Sequence, residues 1–287
     1  MNLQHSVVGL TVLGTILAAN GGVAQLKLLD RSNLIAWCIV PFDAKHRNPE
    51  ERAEMLRKLG ITKLAYDWRE KDIPTFDAEV DALKRNRIKL SAFWATVSFD
   101  KAKNRHLPVI LDLFRRRRIH PELWTLLTPP ADFDKLPQDQ KVDRAAAILK
   151  PVAEQFGKAG SKIGLYNHGG WFGEPENQIA ILKRMGLQNV GLVYNFHHAH
   201  EHIARFPELF QTMKPYLLAV NINGMKSGGS KILSVGDGDA ELPMIRTVLT
   251  SGWRGPIGIL NHQTDVDAEV GLQRNLAGIE KLRSELQ

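Results

Sequence analysis

A chain of 287 residues, 44% hydrophobic and 24% charged, has the balance of a globular protein and excludes a disordered or fibrous one. Its formal net charge is +7, yet the one dense basic run, Arg115–Arg118, lacks the interleaved aromatics of a nucleic-acid groove, so nucleic acid is excluded as a partner. The lone cysteine, Cys38, rules out an internal disulfide and reads as a small apolar core residue.

Residues 1–24 read as a removable signal peptide. Ser6–Ala19 is apolar and uncharged but short for a bilayer span, and Gly22-Val23-Ala24 places small residues just before Gln25. Met1–His5 carries no Lys or Arg, so a buried N-terminal helix is the alternative. The expectation is an exported, periplasmic chain 25–287 with no stable membrane anchor after processing, or a cytoplasmic one if the leader is not cleaved. Asn33–Val40 is then the first predicted strand, and Pro49–Gly60 a helix with Pro near its start and Gly after its end. Strand 61–68, helix 76–86 and strand 88–94 follow. Helix 107–117 closes on the arginine run, where cations suit a helix C-terminus. Strand 121–127, a proline-marked loop and helix 141–156 come next. The remaining units are strand 163–166 with helix 176–185, strand 190–194 with helix 202–213, strand 216–222 with helix 240–251, and strand 256–260 with helix 267–285.

Eight strand–helix units imply a parallel sheet with helical crossovers. Closure into a single-domain α/β barrel, the (β/α)8 or TIM barrel, is the economical solution. A doubly wound open sheet is the alternative, but no GxGxxG follows the first strand. Four of the runs stop abruptly in amide or imidazole groups: KIGLYNHGG (162–170), VGLVYNFHHAH (190–200), LLAVNINGM (217–225) and GPIGILNHQ (255–263). In a barrel, strand C-termini share one face, so these tails predict one polar site.

On those same segments the chain resembles the xylose-isomerase-like barrel superfamily of sugar isomerases and epimerases, a group that also includes the endonuclease IV type of abasic-site nuclease. Tyr166–Gly170 is similar to its Glu-Asn-His-Gly-Gly, Gly191–His198 to its Gly-Leu-x-x-Asp-x-x-His, and Gly236–Leu260 to its Gly-x-Gly, helix and Gly-Tyr-x-Gly segment, with Trp253 for the Tyr. The resemblance implies a divalent metal held by Glu, Asp, His and Glu on the fifth to eighth strands. The matching positions here hold Tyr166, Asn195, Asn221 and Leu260 or Asn261, so the expectation is that the family's metal is absent and no cofactor replaces it.

The candidate residues follow from the strand ends. His168 and His198 match family positions and are the expected acid–base imidazoles; Lys226, in a Gly-rich loop, is a third catalytic candidate that would polarise a carbonyl. Asn167, Asn195, Asn221, Asn223 and Asn261 pair donor and acceptor as sugar hydroxyls require. Asp67, Arg69 and Glu174 are the surviving charged groups, and Trp94, Tyr166 and His262 complete the expected substrate-binding set. HHAHEH (His197–His202) is an alternative transition-metal cluster. The leading reading is a sugar-directed enzyme moving a proton beside a carbonyl, by isomerisation or epimerisation. A keto-sugar glycoside lyase working by β-elimination and a non-catalytic carbohydrate-binding barrel are the alternatives, and the nuclease branch comes last. In each of the sugar readings the partner is a small sugar or glycoside.

Overall fold

Parallel pairing carries β1 (Leu34–Trp37) to β2 (Lys63–Asp67), then in order through β3 (Lys89–Ser98), β4 (Glu122–Thr128), β5 (Ile163–Tyr166), β6 (Val190–Asn195), β7 (Leu217–Ile222) and β8 (Ile257–Leu260). β8 returns to β1, with Leu34 opposite Ile257 and Trp37 opposite Leu260, and the barrel closes. The open doubly wound sheet is thereby excluded. The computed structural model describes residues 26–287; the expected leader lies outside the described residues. Among the described residues no helix is long and apolar enough to cross a membrane.

The helices are α1 (Pro49–Leu59), α2 (Phe76–Arg85), α3 (His106–Arg117), α4 (Gln138–Lys158), α5 (Gly170–Gly173), α6 (Pro175–Met185), α7 (Phe206–Met213), α8 (Glu241–Thr250) and, after the last strand, α9 (Ala268–Leu286). Local chemistry sets their ends. Asn48 and Glu51 form a reciprocal capping box at α1, Pro49 opens its first turn, and Gly60 at φ 72° closes it. Gly186 at φ 65° does the same for α6. At the end of α3, Arg116 pairs with Asp112 and Asp77, and Arg117 with Asp77 and Asp81, so half of the arginine run is neutralised by acids at the surface. Several boundaries differ from the sequence reading: β1 ends at Trp37, three residues before Val40, and α4 extends beyond 141–156 at both ends. β3 runs four residues past Trp94, and the segment before α7 is a 3-10 stretch, His200–Arg205, before the α-helix starts at Phe206.

Two apolar layers result. One fills the space between sheet and helices; the other lies on the barrel axis and contains Ile35, Trp37, Ala65, Ala92, Trp124, Tyr166, Val193, Ala219 and Leu260. Small residues make the axial rings possible: a methyl group on Gly164 would press on Trp124 and Val193. Trp37 meets Trp124 edge-on at 5.5 Å, and Trp124 stacks on Tyr166 at 6.3 Å. These rings plug the barrel at the level of the last strand residues. Along the barrel axis, space for a ligand is left above them, at the C-terminal face.

The last helix closes against the β7–α8 loop through glycine. A methyl group on Gly278 of α9 would overlap the carbonyl of Val235 and crowd Gly236, itself at φ 88°. Both neighbours are backbone and cannot rotate away. Gly278→Ala should therefore lose about 1–3 kcal/mol of stability, the scale of an overpacked core, despite the better helix propensity of Ala. Urea denaturation checks this; an unchanged or higher midpoint would mean that α9 slides freely.

Candidate active site

A cavity of about 180 Å³ opens where the axial rings end. Trp37, Tyr166 and Leu260 form its floor, each the last residue of its strand. Asp67 and Arg69 come from β2 and its loop, Trp94 from β3, and His168 from the β5 loop. Asn195, His197 and His198 come from the end of β6, and His262 from beyond β8. Side chains on a strand alternate between faces, so Asp67, Trp94, Tyr166 and Asn195 point inward for the reason their immediate neighbours do not.

The acid in this cavity is Asp67. It is 3% exposed, and its Oδ2 is sealed from water with no hydrogen-bond partner. No ion pair joins it to Arg69, whose guanidinium donates instead to the Trp68 carbonyl at 2.6 Å. Burial pushes the Asp67 carboxyl up to about 7, against the opposing pull of the Arg69 charge. Beside it Cys38, also buried, has its thiol pushed up by burial and by Asp67. Cys38 is a buried member of the axial core, as its apolar setting predicts, but it lies just past the end of β1 rather than within it; at φ 53° the chain turns there, and its side chain also forms part of the cavity wall. Trp94 adds a buried indole Nε1 without a partner.

Opposite stands a file of imidazoles. His168 and His198 have ring centroids 4.2 Å apart, His198 and His197 4.5 Å, and His197 and His262 4.7 Å. His197 is fixed by an Nδ1 hydrogen bond to the Lys231 carbonyl at 2.9 Å, and His262 leans on Phe42 at 4.2 Å. Burial lowers all four, and the nearness of other imidazoles adds to it for His197, His198 and His262; His198 falls to about 2 and His262 to about 4. The file is neutral at neutral pH. Of its members, His197, which the sequence offers only as part of an alternative metal cluster, belongs to the lining.

Tyr166 and Asn195 are held rather than free. The Tyr166 hydroxyl receives the Trp37 Nε1–H at 3.1 Å and an amide N–H of Asn195, while Asn195 Oδ1 accepts from the His197 backbone at 3.0 Å. Both amide atoms of Asn195 are thus engaged in shaping the floor and the histidine turn. Asn195 still lines the cavity, and its second amide N–H and second oxygen lone pair are not used by these two bonds.

Six other expected site residues are not brought into the cavity. Asn167 faces outward and ties β5 to β6, accepting from Asn195 N at 2.6 Å and donating to Asn195 O at 3.1 Å. Asn261 also faces outward; its amide donates to the Phe42 carbonyl at 2.7 Å and anchors the loop that carries Phe42. Asn223 donates to the carbonyls of Gly224 and Lys231 inside its own loop. Glu174 lies outside the barrel, paired with Arg205 at 2.7 Å and with His202, which in turn meets the Tyr194 hydroxyl. Lys226 is exposed and lines no part of the cavity. Asn221 turns inward but sits fully buried below the cavity, against Gly258, with neither amide atom hydrogen-bonded to the protein.

The donors at the expected metal positions do not suit a divalent cation. They comprise a phenol already taken by two donors and pushed above its ordinary range by burial, two neutral amides, and Leu260. Asn261, the other candidate at β8, points away. Among the described residues no group of three or more His, Cys, Asp or Glu side chains is arranged to hold a metal ion. The HHAHEH run scatters: His197 and His198 face the cavity, whereas His202 is buried against Tyr194 outside the barrel.

No protein-family model matches the sequence, and no curated protein does. Solved structures do match in shape. The chain is similar to a zinc-bound IolI protein at 15% identity and a TM-score of 0.70, over 89% of this chain and 99% of that one. It is similar to a xylose isomerase domain protein from Alicyclobacillus acidocaldarius at 17% identity and a TM-score of 0.66, over 89% and 99%. It is also similar to a 3-keto-D-glucoside 4-epimerase from E. coli at 11% identity and a TM-score of 0.67, over 88% and 99%. The chain therefore shares the (β/α)8 barrel fold of these proteins.

Proposed function

We propose that the protein is a sugar-directed enzyme that moves a proton at the carbon beside a carbonyl, with Asp67 as the proton carrier. The observation that supports this is Asp67 itself: a buried carboxyl with an unpartnered oxygen, facing the cavity at the C-terminal mouth and poised near pH 7, where a general base works best. Ionised Asp67 takes the proton as the C–H bond breaks, and negative charge gathers on the carbonyl oxygen. Neutral His168 and His198, each an N–H donor, stabilise that oxygen, in the way preorganised donors stabilise enolates. Delivery of a proton to the same carbon from the other face, by a solvent water because Asp67 stands on one face only, gives epimerisation; Asp67 then releases its own proton to solvent. Return of the Asp67 proton to the neighbouring centre gives isomerisation, and loss of a substituent one carbon further on gives β-elimination. The sugar-processing neighbours in the same fold agree with the general kind of substrate.

This reading moves the proton-carrying role from the histidines to Asp67, because an imidazole held near 2 is too weak a base to take a proton from carbon. It also needs no divalent metal, given the donors at the family's ligand positions. Incubation in D₂O with C3-oxidised methyl glucoside and other keto-sugars, followed by NMR, tests it directly. Deuterium should enter beside the carbonyl, at a rate unchanged by EDTA. No exchange into any keto-sugar, or exchange lost to EDTA and restored by Mn²⁺ or Zn²⁺, would sink the mechanism. A non-catalytic carbohydrate-binding barrel is the second reading, favoured by the neutral set Tyr166, Asn195, Asn221 and Leu260 where the fold's enzymes hold metal; sugar binding without exchange would support it.

A further inference from the structure

Beside the cavity, on the same face of the barrel, lies a second cleft of about 170 Å³ walled by Pro129, Phe133 and Trp171, with Asp134 at its rim. Phe133 and Trp171 meet edge-to-face at 5.2 Å, and the indole N–H is fixed by Gln138 at 2.7 Å, so the aromatic wall is rigid. Chain order joins the two spaces. His168 lines the first, and the next two residues, Gly169 and Gly170, line the second. Both glycines have positive φ, 80° and 62°, and a side chain on either would meet nothing within 4 Å. The ridge between the clefts is therefore bare backbone under open space.

We infer that the Pro129–Phe133–Trp171 cleft is a second subsite, which binds a neighbouring pyranose ring of a disaccharide-like glycoside whose reacting ring lies against Asp67. The inference rests on the sugar-directed reading above and names its substrate class. Size supports it. Each cleft alone is smaller than the roughly 300–1,000 Å³ of ordinary ligand pockets, and the two joined across the glycine ridge fall inside that range. Chemistry supports it as well. Flat apolar walls suit the C–H face of a pyranose, and the Asp134 carboxylate at the rim can accept from its hydroxyl edge. Among the described residues, the cleft's only charged lining residue is that carboxylate, which disfavours a phosphorylated substrate.

Binding tests the subsite separately from turnover. Calorimetry or NMR titration would compare methyl β-glucoside with cellobiose, and methyl β-galactoside with lactose, on the full chain. At least one disaccharide should bind ten times or more tighter than its methyl glycoside. Trp171→Ala should bring its Kd to that of the methyl glycoside while leaving the latter unchanged. Gly170→Asn, a residue that tolerates the left-handed backbone, should do the same by placing a side chain on the ridge, and it covers the case in which Trp171→Ala does not fold. Equal affinities within both pairs, no binding of any of the four, or a preference that survives both variants would overturn the subsite. Deuterium exchange into a keto-sugar alongside any of those results would leave the proposed reaction standing.

Discussion

Asp67→Asn should abolish exchange beside the carbonyl, lowering kcat by a hundredfold or more, the usual scale for a lost general base. The same substitution should make the protein more stable at high pH. Asp67 titrates at about 7 in the fold against about 3.9 in an unfolded chain. Below about pH 4 both states hold the proton, and the raised value exacts no penalty. Between about 4 and 7 the unfolded chain ionises first, and stability falls as pH rises. Above 7 the fold carries a buried charge without a partner, and the accumulated loss is on the order of 4 kcal/mol. An amide of the same shape escapes that loss, so the gain of Asp67→Asn should be large in urea denaturation at pH 8 and small at pH 4. The parent's kcat should climb through about pH 7 as the carboxylate forms. A variant that is dead yet no more stable at pH 8 would show that Asp67 is already ionised and compensated, and the base assignment would lose its main support.

The barrel was legible in the sequence because its signal is repeated. Eight apolar runs, each followed by an amphipathic helix, leave few other ways to bury a parallel sheet. The site was legible only in part, for a geometric reason. A polar tail such as Tyr166-Asn167-His168 announces the end of a strand, but alternation sends only every second side chain into the barrel. Hence Tyr166 and His168 reached the cavity, while Asn167 was turned out to tie β5 to β6. Asn261 and Leu260 repeat the pattern at β8, and there the apolar member holds the inward place. Beyond a strand end no period applies. Nothing local signals that Cys38 takes a left-handed turn into the wall, or that Phe42 is brought in by the hydrogen bond from Asn261. Glu174 and Lys226 were reached by loop proximity alone, and the loops carry both outward.

His198→Ala should lower kcat by about a hundredfold with little change in KM, the scale of one donor removed from a developing oxyanion. The argument turns on what an imidazole can do when held at about 2. His168 lies 4.2 Å away and His197 4.5 Å away, and a proton added to any one of the three is opposed by burial and by the others. His198 therefore stays neutral from mildly acidic to basic pH. It can donate an N–H to a carbonyl oxygen as charge grows, but it cannot carry the proton through a turnover. His198→Gln keeps an N–H donor of similar reach and should recover part of the activity lost in the Ala variant. In both variants the limb of the pH–rate profile near 7 should stay where it is in the parent, because that limb belongs to Asp67. If the limb instead vanishes on replacing His198, and Gln is as inactive as Ala, the imidazole is the proton carrier after all. Asp67 would then serve to bind a hydroxyl.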